Sequence, residues 1–273
     1  MLRLYDPATG EVAAIRTGHR RELRVLAVAP VAADPADPDL ALLRTWVLPD
    51  QLRRTAERRS LIPSVCEVLA PDGPGGEPLP AAAREALNIH PSARIIPAGE
   101  LLAPTAGLTG GANPAFDIGT GDTGWLAGRD VVYSFAAPTG NVTAGPDGHG
   151  PRRLSELTAR GTDPLAARLG FMHQRYRDSA ELSWDQLATW DKILTGWRIA
   201  VAQWANSPSA AMSAPHAEAI TAAFEDDLDT PAAVAQLRLL ADDTDVAAGA
   251  KFETFAAADR LLGLDLARDV GRY

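Results

Sequence analysis

Between Leu23 and Val31 the chain reads LRVLAVAPV, a continuous apolar run of strand length but for Arg24 near its start. A strand wetted on one face alternates apolar and polar residues, so an unbroken run belongs to a strand covered on both faces, as in parallel sheets. Pro30 has no N–H to give to a ladder and ends the run. A helical pattern from Leu40 to Arg59 follows, and then a second strand from Ile62 to Leu69. Strand, helix, strand in that order describes one right-handed βαβ unit, and with it an α/β fold.

The rest of the first half mixes short β-like runs with Gly/Pro-rich connections. Pro71 to Pro80 reads as a loop, Ala81 to Leu87 as a helix and Ala93 to Pro97 as a short strand. Thr105 to Gly124 is rich in Gly, Thr and Asp and reads as loop around an apolar segment at Phe116 to Ile118, with a further strand at Val131 to Phe135. Thr139 to Pro151 (TGNVTAGPDGHGP) has the composition of a mobile connection, and the domain boundary is placed there. Residues 1–150 then form a reduced Rossmann-like domain of the nucleotide-binding type, and residues 151–273 an α-helical bundle.

The second half is helical with clear punctuation. Asp163 caps a helix that has Pro164 at its first position, and Leu165, Leu169, Met172 and Tyr176 recur at helical spacing. Ser183 and Gln186 make a capping-box pair. The helix they open carries Leu187, Trp190, Leu194, Trp197, Val201 and Trp204 on one face, a stripe that reads as core packing rather than a ligand pocket. Phe224 to Leu237 (FEDDLDTPAAVAQL) ends one helix in an acidic turn and starts the next, with Thr230 as N-cap and Pro231 at the first position. Helices at Ser213–Glu225, Pro231–Leu240 and Ala247–Leu262 complete an antiparallel bundle.

Composition excludes several classes. The single cysteine, Cys66, rules out an internal disulfide and a Cys-based zinc cluster, and the five histidines show no metal-ligand spacing. A net charge of −9 argues against tRNA or any nucleic acid as a partner, because phosphate binding needs a basic stripe. No run approaches the roughly 20 apolar residues that cross a bilayer. MLRLYDPATGEV lacks a signal-peptide core, so the expected address is cytoplasmic with no membrane partner.

Among candidate sites, Gly119 to Gly124 (GTGDTG) is the best ligand loop. Glycines let backbone amides approach a ligand, and Asp122 can accept from a ribose hydroxyl; an ordinary glycine turn is the alternative. Asp226, Asp227 and Asp229 read as capping acids rather than a Mg²⁺ site, and His173 as a partly buried structural histidine rather than a general base. His149 has no visible acid or nucleophile partner, and no Ser-His-Asp or Cys-His arrangement follows from spacing.

Several segments resemble, in chain order, the cysteinyl-tRNA synthetases and the mycothiol cysteine ligases that share their class I fold. Leu2–Val12 is similar to the family's N-terminal strand and turn, and Ala86–Ala93 (ALNIHPSA) to its A-L-N-I-x-P segment. Phe116-Asp117-Ile118-Gly119 resembles the F-D-I-H start of its nucleotide loop. Asp163–Leu182, with Arg168, Tyr176 and Arg177, resembles its H-Y-R-S helix, and DDLDTP its D-D-x-[ND]-T-P turn.

The resemblance implies an ATP site that the sequence does not furnish. Arg44-Thr45-Trp46 matches the A-R-T-Y that follows the family's H-I-G-H signature, which puts Asp39-Leu40-Ala41-Leu42 in its place. The K-M-S-K-S lysines fall at about Thr143–Asp147 (TAGPD), and the implied zinc ligands at about Ala29 and Arg129-Asp130-Val131, with Cys66 elsewhere. The chain also stops near the end of the family's helical domain, short of its anticodon-binding extension. The expectation is therefore a truncated paralogue without aminoacylation activity or zinc, acting on a small-molecule or protein partner, its oligomeric state open. ATP or an adenosine-type ligand is the candidate occupant of a remnant pocket at Arg44, Thr45, Asp117, Gly119, Gly121 and Asp122. The alternatives are an ATP-dependent amino-acid ligase acting on a small acceptor, with Arg44, Arg152 and Arg153 replacing the lost phosphate contacts, and a structural subunit of a complex.

Overall fold

The computed structural model describes residues 1–6, 9–15, 21–29, 34, 36–69, 79–97, 115–121, 132–137, 139–144 and 148–272. The chain opens with an antiparallel hairpin, β1 (Arg3–Asp6) and β2 (Glu11–Ala14). The apolar run becomes β3 (Glu22–Ala29), followed by α1 (Leu40–Arg58) and β4 (Ile62–Leu69). Next come α2 (Ala81–Ala86), β5 (Arg94–Pro97), β6 (Ala115–Gly121) and β7 (Val132–Ala137).

The five strands from β3 to β7 form one parallel sheet in the order β5-β4-β3-β6-β7. As the apolar run from Val25 onward requires, β3 is central, with Leu23, Val25 and Leu26 fully buried. The chain builds outward from β3 to β5, then returns to the other side of β3 for β6. That reversal makes the gap between β3 and β6 a topological switch point, an arrangement compatible with a Rossmann-like core.

Two glycine-rich stretches differ from their expectations. The segment Phe116–Ile118 with its flanking glycines is a seven-residue strand, not a loop: Gly119 lies opposite Leu26 on one side and Ala136 on the other. Glycine weakens strands locally, and here pairing on both flanks overrides that preference. The expected mobile connection is tied down where it is described. Val142–Thr143 (β8) pairs with Ala180–Glu181 (β9), and the Gly140 amide donates to the Tyr176 carbonyl at 2.8 Å. Its glycines serve close approach: a Cβ at Gly140 would sit 2.0 Å from the Asp178 carbonyl oxygen. Most of the Pro71–Pro80 loop and of Thr105–Gly124, and residues 145–147, lie outside the described residues.

Six helices follow: α3 (Leu154–Ala159), α4 (Pro164–Met172), α5 (Trp184–Trp204), α6 (Ala214–Glu225), α7 (Thr230–Asp242) and α8 (Ala248–Leu262). The Ser183–Gln186 capping box is present in both directions, at 3.2 and 2.9 Å. The α5 stripe is core: Leu187, Trp190, Leu194, Trp197 and Val201 are buried, and Trp197 and Trp204 meet Phe255 of α8 edge-on at 5.8 and 5.1 Å. The cap of α7 is Asp229, whose carboxylate accepts from the Ala232 amide at 3.1 Å, one residue earlier than Thr230. One apolar cluster takes in side chains from both sides of residue 150, from Leu4, Leu43 and Ile118 to Phe224 and Leu266. No helix among the described residues is long and apolar enough to cross a membrane.

Candidate functional site

In a sheet of this topology, ligands sit in the crevice beyond the C-terminal ends of the strands at the switch point, facing the N-terminus of the helix that follows. Here that means the ends of β3 and β6 and the start of α1. Gly119 and Gly121 lie in the last three residues of β6, so the glycine run is ladder up to Gly121. Thr120, between them, is fully buried, its hydroxyl 3.5 Å from the Leu26 carbonyl. Asp117 is in the same strand, while Asp122, Ala29's side chain and Arg129–Val131 lie outside what is described.

The start of α1 is closed by the protein itself. A helix N-terminus holds an anion through free first-turn amides. Asp39 is the N-cap, and its Oδ1 accepts from the Leu42 amide at 2.7 Å. The Leu40 amide donates to the Arg152 carbonyl at 2.9 Å, and the Leu154 amide donates back to Pro38 at 3.2 Å. Asp37 completes the interlock, accepting from the Ser155 amide and hydroxyl at 2.9 and 2.7 Å. Arg153 turns onto the same segment, donating to the Asp37 carbonyl at 3.1 Å and lying 3.5 Å from the Asp34 carboxylate.

Arg44 has a different partner set from a phosphate-binding arginine. It is 3% exposed, and its guanidinium donates to the carbonyls of Gly140, Asn141 and Asp178 at 2.8, 3.0 and 2.7 Å and to that of Arg175 at 2.9 Å. Burial brings its pKa down to about 10, partly offset by Asp178. Arg44 therefore fastens the connection at residues 140–141 to the turn after α4. Thr45 bonds back to the Ala41 carbonyl at 3.1 Å within its own helix. The six expected residues thus divide between two α1 positions and the β6 strand, with Asp122 beyond the described chain.

Two charged clusters lie elsewhere, and sequence reasoning underrated both. In the acidic turn between α6 and α7, Asp227 is 1% exposed and accepts from the Tyr5 amide at 2.7 Å, the Tyr176 hydroxyl at 2.8 Å and Arg177. Asp229 takes Arg175 at 2.6 Å, and Asp226 pairs with Arg3 at 3.1 Å. These acids join β1, the turn after α4 and the α6–α7 turn; only Asp229 is a side-chain cap. The run Arg175-Tyr176-Arg177 was the available signal, two cations flanking a phenol.

The second cluster centres on Asp50 of α1, which receives Arg168 at 2.6 Å, Arg54 at 2.8 Å, and the His90 amide and ring at 3.0 and 2.8 Å. Burial opposes its ionisation, but Arg168, His90 and Arg54 together hold the carboxyl well below the usual carboxylate range. Arg168, fully buried, also donates to the Leu262 and Leu87 carbonyls at 2.8 Å each. Mid-helix Asp and Arg on α1 gave no hint of this from spacing.

His173 is exposed rather than partly buried and meets the Trp190 ring at a tilt of 52°, 4.5 Å between ring centres; partial desolvation and Arg238 push its pKa down. Cys66 is half-buried, and burial pushes its thiol up, away from the reactive thiolate. Among the described residues no group of three His, Cys, Asp or Glu could hold a metal.

No family model matches the chain. Similarity to curated proteins is consistent in kind: over 119 residues it is 36% identical to an L-cysteine:1D-myo-inositol 2-amino-2-deoxy-alpha-D-glucopyranoside ligase of Corynebacterium glutamicum, covering 41% of this chain and 28% of that one. A ligase of the same name from Salinispora arenicola is 37% identical over 123 residues, 41% of this chain and 27% of its own. The longest of the three matches, to the Nocardiopsis dassonvillei ligase, is 30% identical over 181 residues, 56% of this chain and 42% of the relative. The matched stretch spans well under half the length of these relatives. By sequence, this chain is similar over part of its length to these cysteine ligases.

Proposed function

We propose that the chain is a ligase-like paralogue that keeps the cysteine-ligase scaffold without its adenylating chemistry and works by binding a small molecule or a protein partner. The observation that carries this reading is the start of α1, where Asp39 occupies its own first turn and residues 152–155 cover it. Adenylation builds negative charge on a triphosphate, and a site for it places cations and free amides there. A carboxylate at that position repels the phosphates, and Leu40 and Leu42 offer no side-chain donor. In this reading the helices after residue 150 are the family's bundle, kept as scaffold, the address is cytoplasmic, and the acidic surface disfavours tRNA. ATP–pyrophosphate exchange with cysteine tests it: the expected result is no exchange above background, and robust cysteine-dependent exchange overturns it.

A divergent ligase is the second reading, favoured by the fact that the relatives named above are ligases. It requires Arg153 to leave the Asp37 carbonyl and the Asp34 carboxylate and, with Arg152, to face the crevice, because Arg44 is committed to four carbonyls. The same exchange assay separates the two, and Arg153→Ala would abolish exchange under the second.

A further inference from the structure

Three side chains with N–H groups to donate meet on the helices after residue 150. Trp190 of α5 is 7% exposed, and two neighbours lie against its indole. The His173 ring, at the end of α4, is 4.5 Å from the indole centre, and the Arg238 guanidinium of α7 is 5.1 Å from it. Gly170 shows which edge of the indole faces α4: a Cβ there would come within 3.3 Å of Trp190 Cδ1 and 3.5 Å of Nε1. The N–H edge therefore lies against the helix that ends at His173.

None of the three has an acceptor among the described residues. Arg238 Nε is buried without one, and the Trp190 N–H and the His173 ring make no hydrogen bond there. Cation–π contact with the indole stabilises the Arg238 charge but supplies no lone pair to its N–H groups. No carboxylate among the described residues pairs with either cation; Arg238 is the one charged group that acts on His173, and it opposes protonation. A buried donor without an acceptor is costly, and so are like charges held side by side. An anion with several oxygens relieves both, taking charge-assisted bonds from the guanidinium and the imidazolium.

We propose that His173, Trp190 and Arg238 form a binding site for a tetrahedral oxyanion, the phosphate or sulfate group of a small ligand. The site shares no residue with the α1–β6 crevice, so it stands whether or not the chain adenylates cysteine.

Nuclear magnetic resonance titration of the full chain tests it, read at the His173 ring and the Trp190 indole N–H at constant ionic strength. Sulfate is the first probe, because its charge does not change over the range in which histidine titrates. Both signals are expected to shift together and saturate. Arg238→Gln should weaken binding about tenfold, the loss of one charge-assisted hydrogen bond. Lys192→Gln removes an exposed cation two residues along α5 and should leave binding unchanged. A bound anion favours imidazolium, so the His173 pKa rises on binding, and affinity grows as pH falls through the free value, which lies below that of an ordinary histidine. His173→Asn, at an exposed position, should remove that gain without unfolding the chain. At about pH 8 inorganic phosphate is also a dianion, and the tighter of the two probes there identifies the group that the ligand carries. Absence of saturable shifts overturns the proposal. So does equal weakening by Arg238→Gln and Lys192→Gln, which would mean diffuse attraction, or a sulfate affinity indifferent to pH in the unaltered chain.

Discussion

The start of α1 and the turn between α6 and α7 are both built from aspartates, yet the two sets of carboxylates face different partners. At α1, Asp39 and Asp37 accept mainly from backbone amides, so they close a helix start that lies where a ligand's phosphates would go. At the turn, Asp227 and Asp229 accept from arginines and a tyrosine brought from other elements, so they fasten the scaffold. The acids of the turn therefore serve the framework, and those at the start of α1 close that helix end with local hydrogen bonds.

The strongest way to sharpen this contrast is to break the framework. Arg168→Ala takes one of two arginines from buried Asp50 and leaves the Leu87 and Leu262 carbonyls without their donor, and should cost about 3–5 kcal/mol in denaturant unfolding, the range for breaking a buried ion pair. The pH dependence has a definite sign. The folded-state pKa of Asp50 lies below its unfolded value, so its contribution is complete above the unfolded pKa and is lost as pH falls below about 4. Asp163, also lowered by Arg198 and the Leu165 amide despite burial, adds to the same acid loss. An Arg168→Met chain should show a flatter profile in that window, because the largest influence holding Asp50 ionised is gone.

Asp227→Asn should cost about 1.5–3 kcal/mol, the range for hydrogen bonds to a charged group, and should loosen β1 as read by amide exchange at Tyr5. A similar or smaller loss, about 1–3 kcal/mol, is expected for Gly140→Ala, whose methyl would overlap the Asp178 carbonyl. The smallest effect belongs to the other side of the comparison. Asp39→Ala removes only a cap and should cost about 1 kcal/mol. A loss from Asp39→Ala as large as that from Asp227→Asn would break the distinction between a local cap and a scaffold fastener.

How much of this was legible in the sequence depends on the range of the forces involved. The βαβ unit was readable because burial on both faces leaves consecutive apolar residues from Val25 to Ala29, and β4 falls at Ile62–Leu69 as expected. The capping box at Ser183 and the cap at Asp163 were readable because each is closed within three residues. β6 was misread because Gly119 and Gly121 carry turn propensity, and only pairing with distant β3 and β7 makes them strand. The connection at residues 139–144 was misread for the same reason, its glycines admitting neighbours rather than conferring freedom. At the candidate site, the N-cap role of Asp39 is closed within three residues and so lies within reach of local sequence reasoning. The commitments of Arg44, Asp50 and Asp227 do not, since each joins residues tens to hundreds of positions apart.

The most direct test is calorimetric titration of the intact chain with ATP and with the sulfamoyl analogue of cysteinyl adenylate. A crevice closed by Asp39 and residues 152–155 predicts no saturable heat from either compound. Tight binding of the analogue that is weakened by Arg153→Ala would contradict the account, because it would place phosphate-equivalent atoms at the helix start that the structure fills with its own carboxylate.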